Sequence, residues 1–136
     1  MLRPTALDYL VLVVSDIEVS TRFWRDVVGA ELDHTSGPFS QFRIGEVRLG
    51  LFEAEAMAST LGREVALPEP GRAGFEVGFV VDDVDATFDE LVAAGAGAVT
   101  VPADRPWGQR TAYVADPDGY LIELVRPLVD GPAVGS

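Results

Sequence analysis

Residues 7–32 have the sequence LDYLVLVVSDIEVSTRFWRDVVGAEL, and residues 74–99 have the sequence GFEVGFVVDDVDATFDELVAAGAGAV. Both stretches follow one pattern, in which an apolar run is followed by an acidic residue, a helical pattern and a glycine. The alignment places Tyr9, Val14 and Asp16 on Glu76, Val81 and Asp83. An internal repeat of this kind indicates one supersecondary unit built twice. The sequence therefore predicts two similar modules.

Each copy is predicted to begin with a strand that leads into a helix. The apolar runs at 7–14 and 75–81 are rich in β-branched and aromatic residues, as buried strands are. Asp16 and Asp83 follow these runs, and an aspartate there accepts the free amide hydrogens of a first helical turn. The faces predicted to be buried comprise Val19, Phe23 and Val27 in the first helix, and Val84, Phe88, Leu91 and Val92 in the second.

Three further strands are predicted after each helix, separated by glycine- and proline-containing turns. Their ranges are 31–36, 39–45 and 47–53 in the first half, and 98–102, 109–115 and 120–126 in the second. Each half is thus a βαβββ module, which makes the fold class α+β. The predicted organisation is a first module at 5–53, a connection at 54–73 with a helical turn around 54–62, a second module at 74–127, and a disordered tail at 128–136.

Composition excludes several classes of function. The 136 residues carry a net charge of −12, which repels phosphate backbones and anionic membranes, so neither nucleic acid nor a membrane is an expected partner. With no cysteine, the chain has no disulfide, thiolate metal site or thiol nucleophile. The opening residues MLRPTALD lack the apolar stretch of a secretory signal, which predicts a cytoplasmic protein.

Two motifs in the second half carry a resemblance to a known family. Trp107-Gly108-Gln109-Arg110 leads into the segment ADPDGYLIEL at 115–124. Together with the paired βαβββ modules, this resembles the vicinal-oxygen-chelate superfamily of glyoxalases, extradiol dioxygenases and bleomycin-resistance proteins, over roughly residues 5–127. The resemblance implies sheets curled into half-barrels with helices outside, two modules enclosing a cavity, and a homodimer formed by pairing of modules.

The same resemblance places Glu123 toward the cavity. Side chains alternate along a strand, so the other cavity-facing positions follow from this one. They are Leu121 and Val125 beside Glu123, then Arg48, Gly50 and Phe52, and on the opening strands Tyr9, Val11 and Val13 with Glu76, Gly78 and Val80.

Catalytic relatives hold a divalent metal at four of these positions, typically on two histidines and one or two glutamates. The matching residues here are Tyr9, Gly50, Glu76 and Glu123. Because neither histidine is present, no cofactor is predicted. Glu76 and Glu123 are weak candidates for a hard cation, and a divalent metal stays open as the alternative. The one histidine, His34, is predicted on the second strand at the surface or rim.

Bleomycin-resistance proteins use this scaffold without a metal, to sequester a drug between aromatic walls. This sequence resembles them in its acidity and its missing ligands, which predicts a metal-free protein that binds a small aromatic or cationic molecule. The predicted ligand-binding residues are Tyr9, Phe39, Phe42, Arg48, Phe52, Glu76, Trp107, Tyr113 and Glu123. Trp24 is predicted in the core or a dimer contact. Three alternatives stay open: a divergent metal-dependent lyase, isomerase or dioxygenase, a scaffolding or partner-binding role, and a purely structural ionic network of the two glutamates with Arg48.

Overall fold

The computed structural model describes residues 1–69 and 71–128. The chain divides into two compact units, Met1–Leu67 and Pro68–Ser136. The boundary between them falls inside the predicted connection, and the predicted disordered tail lies outside the described residues from position 129 onward. None of the described helices is long and apolar enough to cross a membrane.

The first unit contains a four-stranded mixed sheet. Its strands are β1 (Tyr9–Val14), β2 (Glu31–Ser36), β3 (Phe39–Ile44) and β4 (Val47–Glu53). The order across the sheet is β1-β4-β3-β2, with β1 parallel to β4 and the other pairs antiparallel. Two helices complete the unit, α1 (Ile17–Arg22) between β1 and β2, and α2 (Ala54–Leu61) after β4.

The second unit repeats this arrangement. Its elements are β5 (Glu76–Val80), α3 (Val84–Ala93), β6 (Gly97–Asp104), β7 (Gln109–Ala115) and β8 (Leu121–Pro127). The order is β5-β8-β7-β6, again with the first strand parallel to the last. The predicted α+β fold of two βαβββ modules is therefore confirmed.

Both helices that follow an opening strand begin at the predicted aspartate. The Asp16 carboxylate accepts hydrogen bonds from the amides of Glu18 and Val19, at 3.0 and 3.1 Å. Asp83 accepts from the Ala86 amide at 3.0 Å. These bonds satisfy amide hydrogens that have no partner inside the helix, which fixes the point where each helix leaves its strand.

The first helix differs from its predicted packing. Val19 was expected in the buried face and is 39% exposed. After Arg22 the helix continues as a π-helical turn (Phe23–Val27), in which the Val28 amide donates to the Phe23 carbonyl at 3.0 Å. The wider turn rotates the buried face, so that adjacent Phe23 and Trp24 both enter the core. Trp24 was predicted in the core or a dimer contact, and it lies in the core.

The helices cover one face of each sheet. In the first unit the covered strand residues are Leu12, Val14, Phe42, Leu49 and Leu51, and in the second they are Ala112, Val114, Ile122 and Leu124. The Thr21 hydroxyl on α1 lies 2.8 Å from that of Ser40 on β3, which marks this face as the helix side. We call the opposite side of each sheet its open face.

Arg110, the last residue of the WGQR motif, has a structural role. Its guanidinium donates to the Asp85 carboxylate on α3 at 2.7 and 2.8 Å, and to Asp104 on β6 at 2.9 Å. These bonds raise the pKa of Arg110 and lower the pKa of Asp85. Arg110 thus ties β7 to the helix and to the neighbouring strand.

Candidate ligand-binding site

The open face of the first unit carries the residues predicted to face a cavity. In the parallel pairing of β1 with β4, Val11 lies opposite Gly50. The same register pairs Tyr9 with Arg48 and Val13 with Phe52. Leu12 and Val14, which alternate with these residues, are fully buried on the helix side. The predicted orientation of β1 and β4 is therefore confirmed.

Phe42 was predicted among the ligand-binding aromatics, and that prediction is wrong. Its side chain is 0% exposed and lies opposite Leu49, in the core on the helix side. Phe39 and Phe42 are three residues apart on one strand, and side chains that far apart point to opposite faces. Phe39 is the one on the open face, opposite Phe52.

An aromatic cluster of Tyr9, Phe39 and Phe52 lies on this open face. The Phe39 ring centroid is 6.3 Å from that of Tyr9 and 5.8 Å from that of Phe52, both in edge-to-face geometry. Phe39 also lies over Gly50, because a Cβ atom added at Gly50 would be 2.9 Å from the phenylalanine ring. The missing side chain at Gly50 is therefore what makes room for the aromatic surface.

Arg48 extends the cluster with a positive charge. Its guanidinium carbon lies 5.2 Å from the centre of the Tyr9 ring, a distance at which a cation is attracted to the ring face. The same guanidinium forms an ion pair with Asp8. Arg48 is thus already engaged within its own unit.

The open face of the second unit carries a buried carboxylate. Glu123 on β8 is 5% exposed, and the Tyr113 hydroxyl donates to its Oε2 atom at 2.9 Å. Gly78 lies opposite Glu123 in the β5–β8 pairing, and a Cβ atom there would be 2.9 Å from Glu123 Oε1. Glycine at 78 therefore leaves room for the carboxylate. No salt bridge among the described residues includes Glu123.

Glu76 adds a second carboxylate to the same face, two residues before Gly78 on β5. Burial raises the pKa of Glu76, and the negative charge of Glu123 raises it further. Burial also raises the pKa of Tyr113, as does its hydrogen bond to Glu123, while a hydrogen bond from Thr111 acts in the opposite direction. The second unit therefore gathers negative charge on its open face.

Trp107 lies in the tight turn that joins β6 to β7. It is 52% exposed, and its indole nitrogen donates to the Gln109 side-chain oxygen at 3.0 Å. The turn is closed by the Arg105 amide, which donates to the Gln109 carbonyl at 2.7 Å, and by the Gly108 amide, which donates to the Arg105 carbonyl. Trp107 is thus an accessible ring on a fixed turn, as a connecting Pro-Trp-Gly segment predicts.

The predicted site residues fall into two groups. The first unit brings together Tyr9, Phe39, Arg48 and Phe52, and the second brings together Glu76, Tyr113 and Glu123. His34 lies at the edge of the first group, with its ring 6.5 Å from Phe39 and its side chain 52% exposed, so its placement at the surface or rim is confirmed.

Gly78 lies on the face where strand alternation predicted it, whereas Arg105 and Thr111 were not predicted. Strand alternation is a signal for Thr111, which shares a face with Tyr113. Arg105 had no such signal, because it lies in a turn and reaches β7 through its side chain.

Comparison with known proteins assigns the family. Residues 6–124 match the model of the Glyoxalase/Bleomycin resistance protein/Dioxygenase superfamily. This chain belongs to that superfamily. Its relatives include YraH of Bacillus subtilis, an uncharacterised protein that is 33% identical over 121 residues, covering 86% of this chain and 94% of YraH. A lactoylglutathione lyase of Haemophilus influenzae is 35% identical over 123 residues, covering 87% of this chain and 90% of the lyase.

Solved structures of the superfamily have the same fold. A glyoxalase/bleomycin resistance protein/dioxygenase from Nocardioides superposes with a TM-score of 0.82 at 27% identity, covering 96% of this chain and 89% of the other. A lactoylglutathione lyase from Agrobacterium tumefaciens superposes with a TM-score of 0.69 at 25% identity, covering 90% and 94% of the two chains.

The residues at the family's metal positions do not fit a transition metal. Gly50 offers no donor atom, and the Phe39 ring fills the space that a longer side chain would need. Tyr9 packs against Phe39 and Arg48. Only the carboxylates Glu76 and Glu123 are typical metal ligands, and within the described chain no three His, Cys, Asp or Glu residues come together as a metal-binding group. Without imidazole, this donor set suits Zn, Fe or Ni poorly.

Proposed function

We propose that this protein binds and sequesters a small molecule with an aromatic ring and a positively charged group, without a metal. The observation that carries the proposal is the carboxylate of Glu123, which is 5% exposed and receives a hydrogen bond from Tyr113. Buried carboxylates are usually paired with a cation, because the loss of hydration is otherwise uncompensated. Among the described residues no cation pairs with Glu123, so we assign that place to the ligand.

Two further features support this ligand chemistry. Tyr9, Phe39 and Phe52 present a continuous aromatic surface, and rings of this kind favour planar aromatic molecules through stacking and edge contacts. The net charge of −12 attracts cations over a long range and raises their rate of association.

Tryptophan fluorescence is the direct test of binding. Trp107 is 52% exposed and Trp24 is 0% exposed, so a ligand in solution quenches Trp107 and leaves Trp24 unaffected. We expect a panel of planar aromatic cations to include compounds that quench the emission. Trp107→Phe abolishes that signal. We propose Trp107 as an aromatic contact of the ligand, so Trp107→Ala should weaken binding about tenfold or more, measured by calorimetry, since loss of such a contact costs about 2 kcal/mol.

Two results contradict this proposal. One is that no compound in the panel quenches Trp107. The other is that Trp107→Ala binds a confirmed ligand as tightly as the parent protein. The folded state of each variant is checked by circular dichroism.

A second candidate is a metal-dependent lyase, isomerase or dioxygenase. It is favoured by the 35% identity to the lactoylglutathione lyase of H. influenzae. We nevertheless expect protein purified without chelator to contain far less than one equivalent of Fe, Ni, Zn or Mn, because the side chains at the metal positions do not fit. Elemental analysis measures this. One equivalent that survives dialysis and is lost in Glu123→Ala would overturn the metal-free assignment and support the enzyme instead.

We also propose that the protein acts in the cytoplasm as a homodimer. The second unit exposes large apolar side chains, with Val80 at 79% and Val101 at 67%. Val101 lies on β6, an edge strand whose outer side has no paired strand among the described residues. Exposed apolar residues on a sheet edge are usually covered by a partner. Light scattering at micromolar concentration should give twice the mass of 14.5 kDa, and a monomer mass would reject the dimer.

A further inference from the structure

Arg105 carries a hydrogen-bonding group that the fold leaves unused. Its Nε atom donates to the Thr111 hydroxyl at 2.7 Å, and Thr111 is 0% exposed. The Nη2 atom of the same guanidinium is buried and has no hydrogen-bond partner among the described residues. A buried donor without a partner is unfavourable, and native proteins contain few of them. The group therefore requires an explanation.

The neighbouring Asp104 does not provide the missing partner for this group. Asp104 precedes Arg105 in sequence, but its carboxylate receives a hydrogen bond from Arg110 at 2.9 Å. Within the described part of the chain, no salt bridge includes Arg105. The guanidinium is also held in place, since the turn from Arg105 to Gly108 is closed by backbone hydrogen bonds and Nε is anchored on Thr111.

Arg105 reaches the same open face that carries the carboxylates. Thr111 lies opposite Val125, and Tyr113 lies opposite Glu123, so the four residues share one side of the sheet. Thr111 and Tyr113 are two residues apart on β7, a separation of about 7 Å along a strand. The partner of the Arg105 guanidinium and the partner of the Glu123 carboxylate are thus neighbours on one face of β7.

We propose that Arg105 forms a subsite for an anionic oxygen group, a carboxylate or a phosphate, and that the ligand carries this group together with its cationic group. The proposal rests on the proposed function for the cationic end and adds the anionic end. Arginine suits this task because its planar fork keeps N–H donors on the terminal nitrogens while Nε is bonded to Thr111. Glu123 and Glu76 select the positive charge, and Arg105 selects the negative charge on the same open face.

The test uses four probes that share a benzene ring. Benzylamine carries the cation alone, benzoate carries the anion alone, and 4-(aminomethyl)benzoate carries both. The fourth probe, 4-(aminomethyl)phenyl phosphate, replaces the carboxylate by a phosphate and distinguishes the two sources of anionic oxygen. Affinities are measured by calorimetry on the parent protein, on Arg105→Met and on Arg126→Met. Arg126 is an exposed arginine on β8 and serves as the matched control for loss of one positive charge.

We expect at least one of the two zwitterionic probes to bind about tenfold more tightly than benzylamine, since a hydrogen bond to a charged group contributes about 1.5–3 kcal/mol. Arg105→Met removes this advantage and leaves benzylamine affinity unchanged. Arg126→Met alters neither. Arg105→Lys keeps the charge but loses the fork, so it restores only part of the advantage. Circular dichroism and thermal unfolding show whether each variant is folded.

The outcomes separate this inference from the proposed function. If benzylamine binds as tightly as both zwitterions, or if Arg105→Met preserves the difference, the anionic subsite is rejected while the cation site stands. If benzylamine does not bind but benzoate or the zwitterions bind in an Arg105-dependent way, the anionic subsite stands and the cation site is rejected. If none of the four probes binds, both proposals fail.

Discussion

Replacing Glu123 by glutamine is expected to weaken the binding of benzylamine by about thirtyfold or more. Loss of one partner from a buried, hydrogen-bonded charge pair costs about 2–5 kcal/mol, and about 1.4 kcal/mol corresponds to a factor of ten. Glutamine keeps the shape of the side chain and an oxygen that accepts the Tyr113 hydroxyl, so the effect reports the charge rather than a change in packing. Calorimetry on the folded variant measures it.

Two controls make this result specific. Glu90→Gln removes a carboxylate from an exposed position on α3, so it changes the net charge equally without touching the open face. Benzyl alcohol has the ring of benzylamine without the charge, and its binding should be insensitive to Glu123→Gln. Equal losses in Glu90→Gln and Glu123→Gln, or a loss that is as large for benzyl alcohol, would show that Glu123 does not recognise the cation.

The pH dependence of binding follows from Glu76. Because burial and the charge of Glu123 raise its pKa above the ordinary glutamate value, Glu76 takes up a proton at a higher pH than a solvent-exposed glutamate does. Its negative charge helps to hold a cation, so benzylamine binding should weaken as the pH falls through this raised pKa. In Glu76→Gln the decline should shift to lower pH, because the group that titrates first is absent.

The raised pKa of Glu76 also determines how its ionisation changes the free energy of unfolding. An acid whose pKa is higher in the folded than in the unfolded state binds more protons when folded, so the free energy of unfolding falls as the pH rises between the two pKa values. The repulsion between Glu76 and Glu123 is therefore fully present above the folded-state pKa and absent below the unfolded-state pKa. A bound cation offsets this repulsion, which is why two carboxylates on one face are consistent with the proposed ligand.

Much of the fold follows from local patterns in the sequence. The repeat at 7–32 and 74–99, with an aspartate at the start of each helix, predicts the opening strand and helix of each module, and the turns that follow predict its three remaining strands. Strand alternation then predicted which side of β1, β4, β5 and β8 carries the polar and aromatic residues. These features depend on neighbours two to four positions apart, which is the range over which side-chain periodicity operates.

The features that the sequence did not predict depend on irregular backbone or on contacts between residues on different elements. The π-helical turn (Phe23–Val27) breaks the 3.6-residue period, so a regular helix wheel placed Val19 in the core and misjudged the face. The link from Arg105 to Thr111 crosses a turn, and no periodic pattern encodes it. Phe42 is a different case, because its position three residues from Phe39 already implied the opposite face.

The largest effect on stability that we expect comes from replacing Phe42, which lies on the helix side of β3. Phe42 is 0% exposed and packs with fully buried leucines on β4, whereas Phe39, on the same strand, is only partly buried. Phe42→Ala leaves a cavity that the surrounding core cannot fill, and such replacements cost about 3–5 kcal/mol. Phe39→Ala removes a ring that faces the open side and should lower the free energy of unfolding by about 1 kcal/mol.

The two variants should therefore differ in which property they lose, stability or ligand binding. Denaturation by urea is expected to show the large loss of stability in Phe42→Ala and the small loss in Phe39→Ala. Calorimetry at a temperature where both are folded should show weaker binding of planar aromatic compounds to the first unit in Phe39→Ala alone. Each variant is the control for the other, since both delete one phenyl ring from β3. Equal losses of stability would place both rings in the core and remove Phe39 from the ligand surface. Weaker binding in a folded Phe42→Ala protein, with Phe39→Ala unaffected, would reverse the assignment of the two faces.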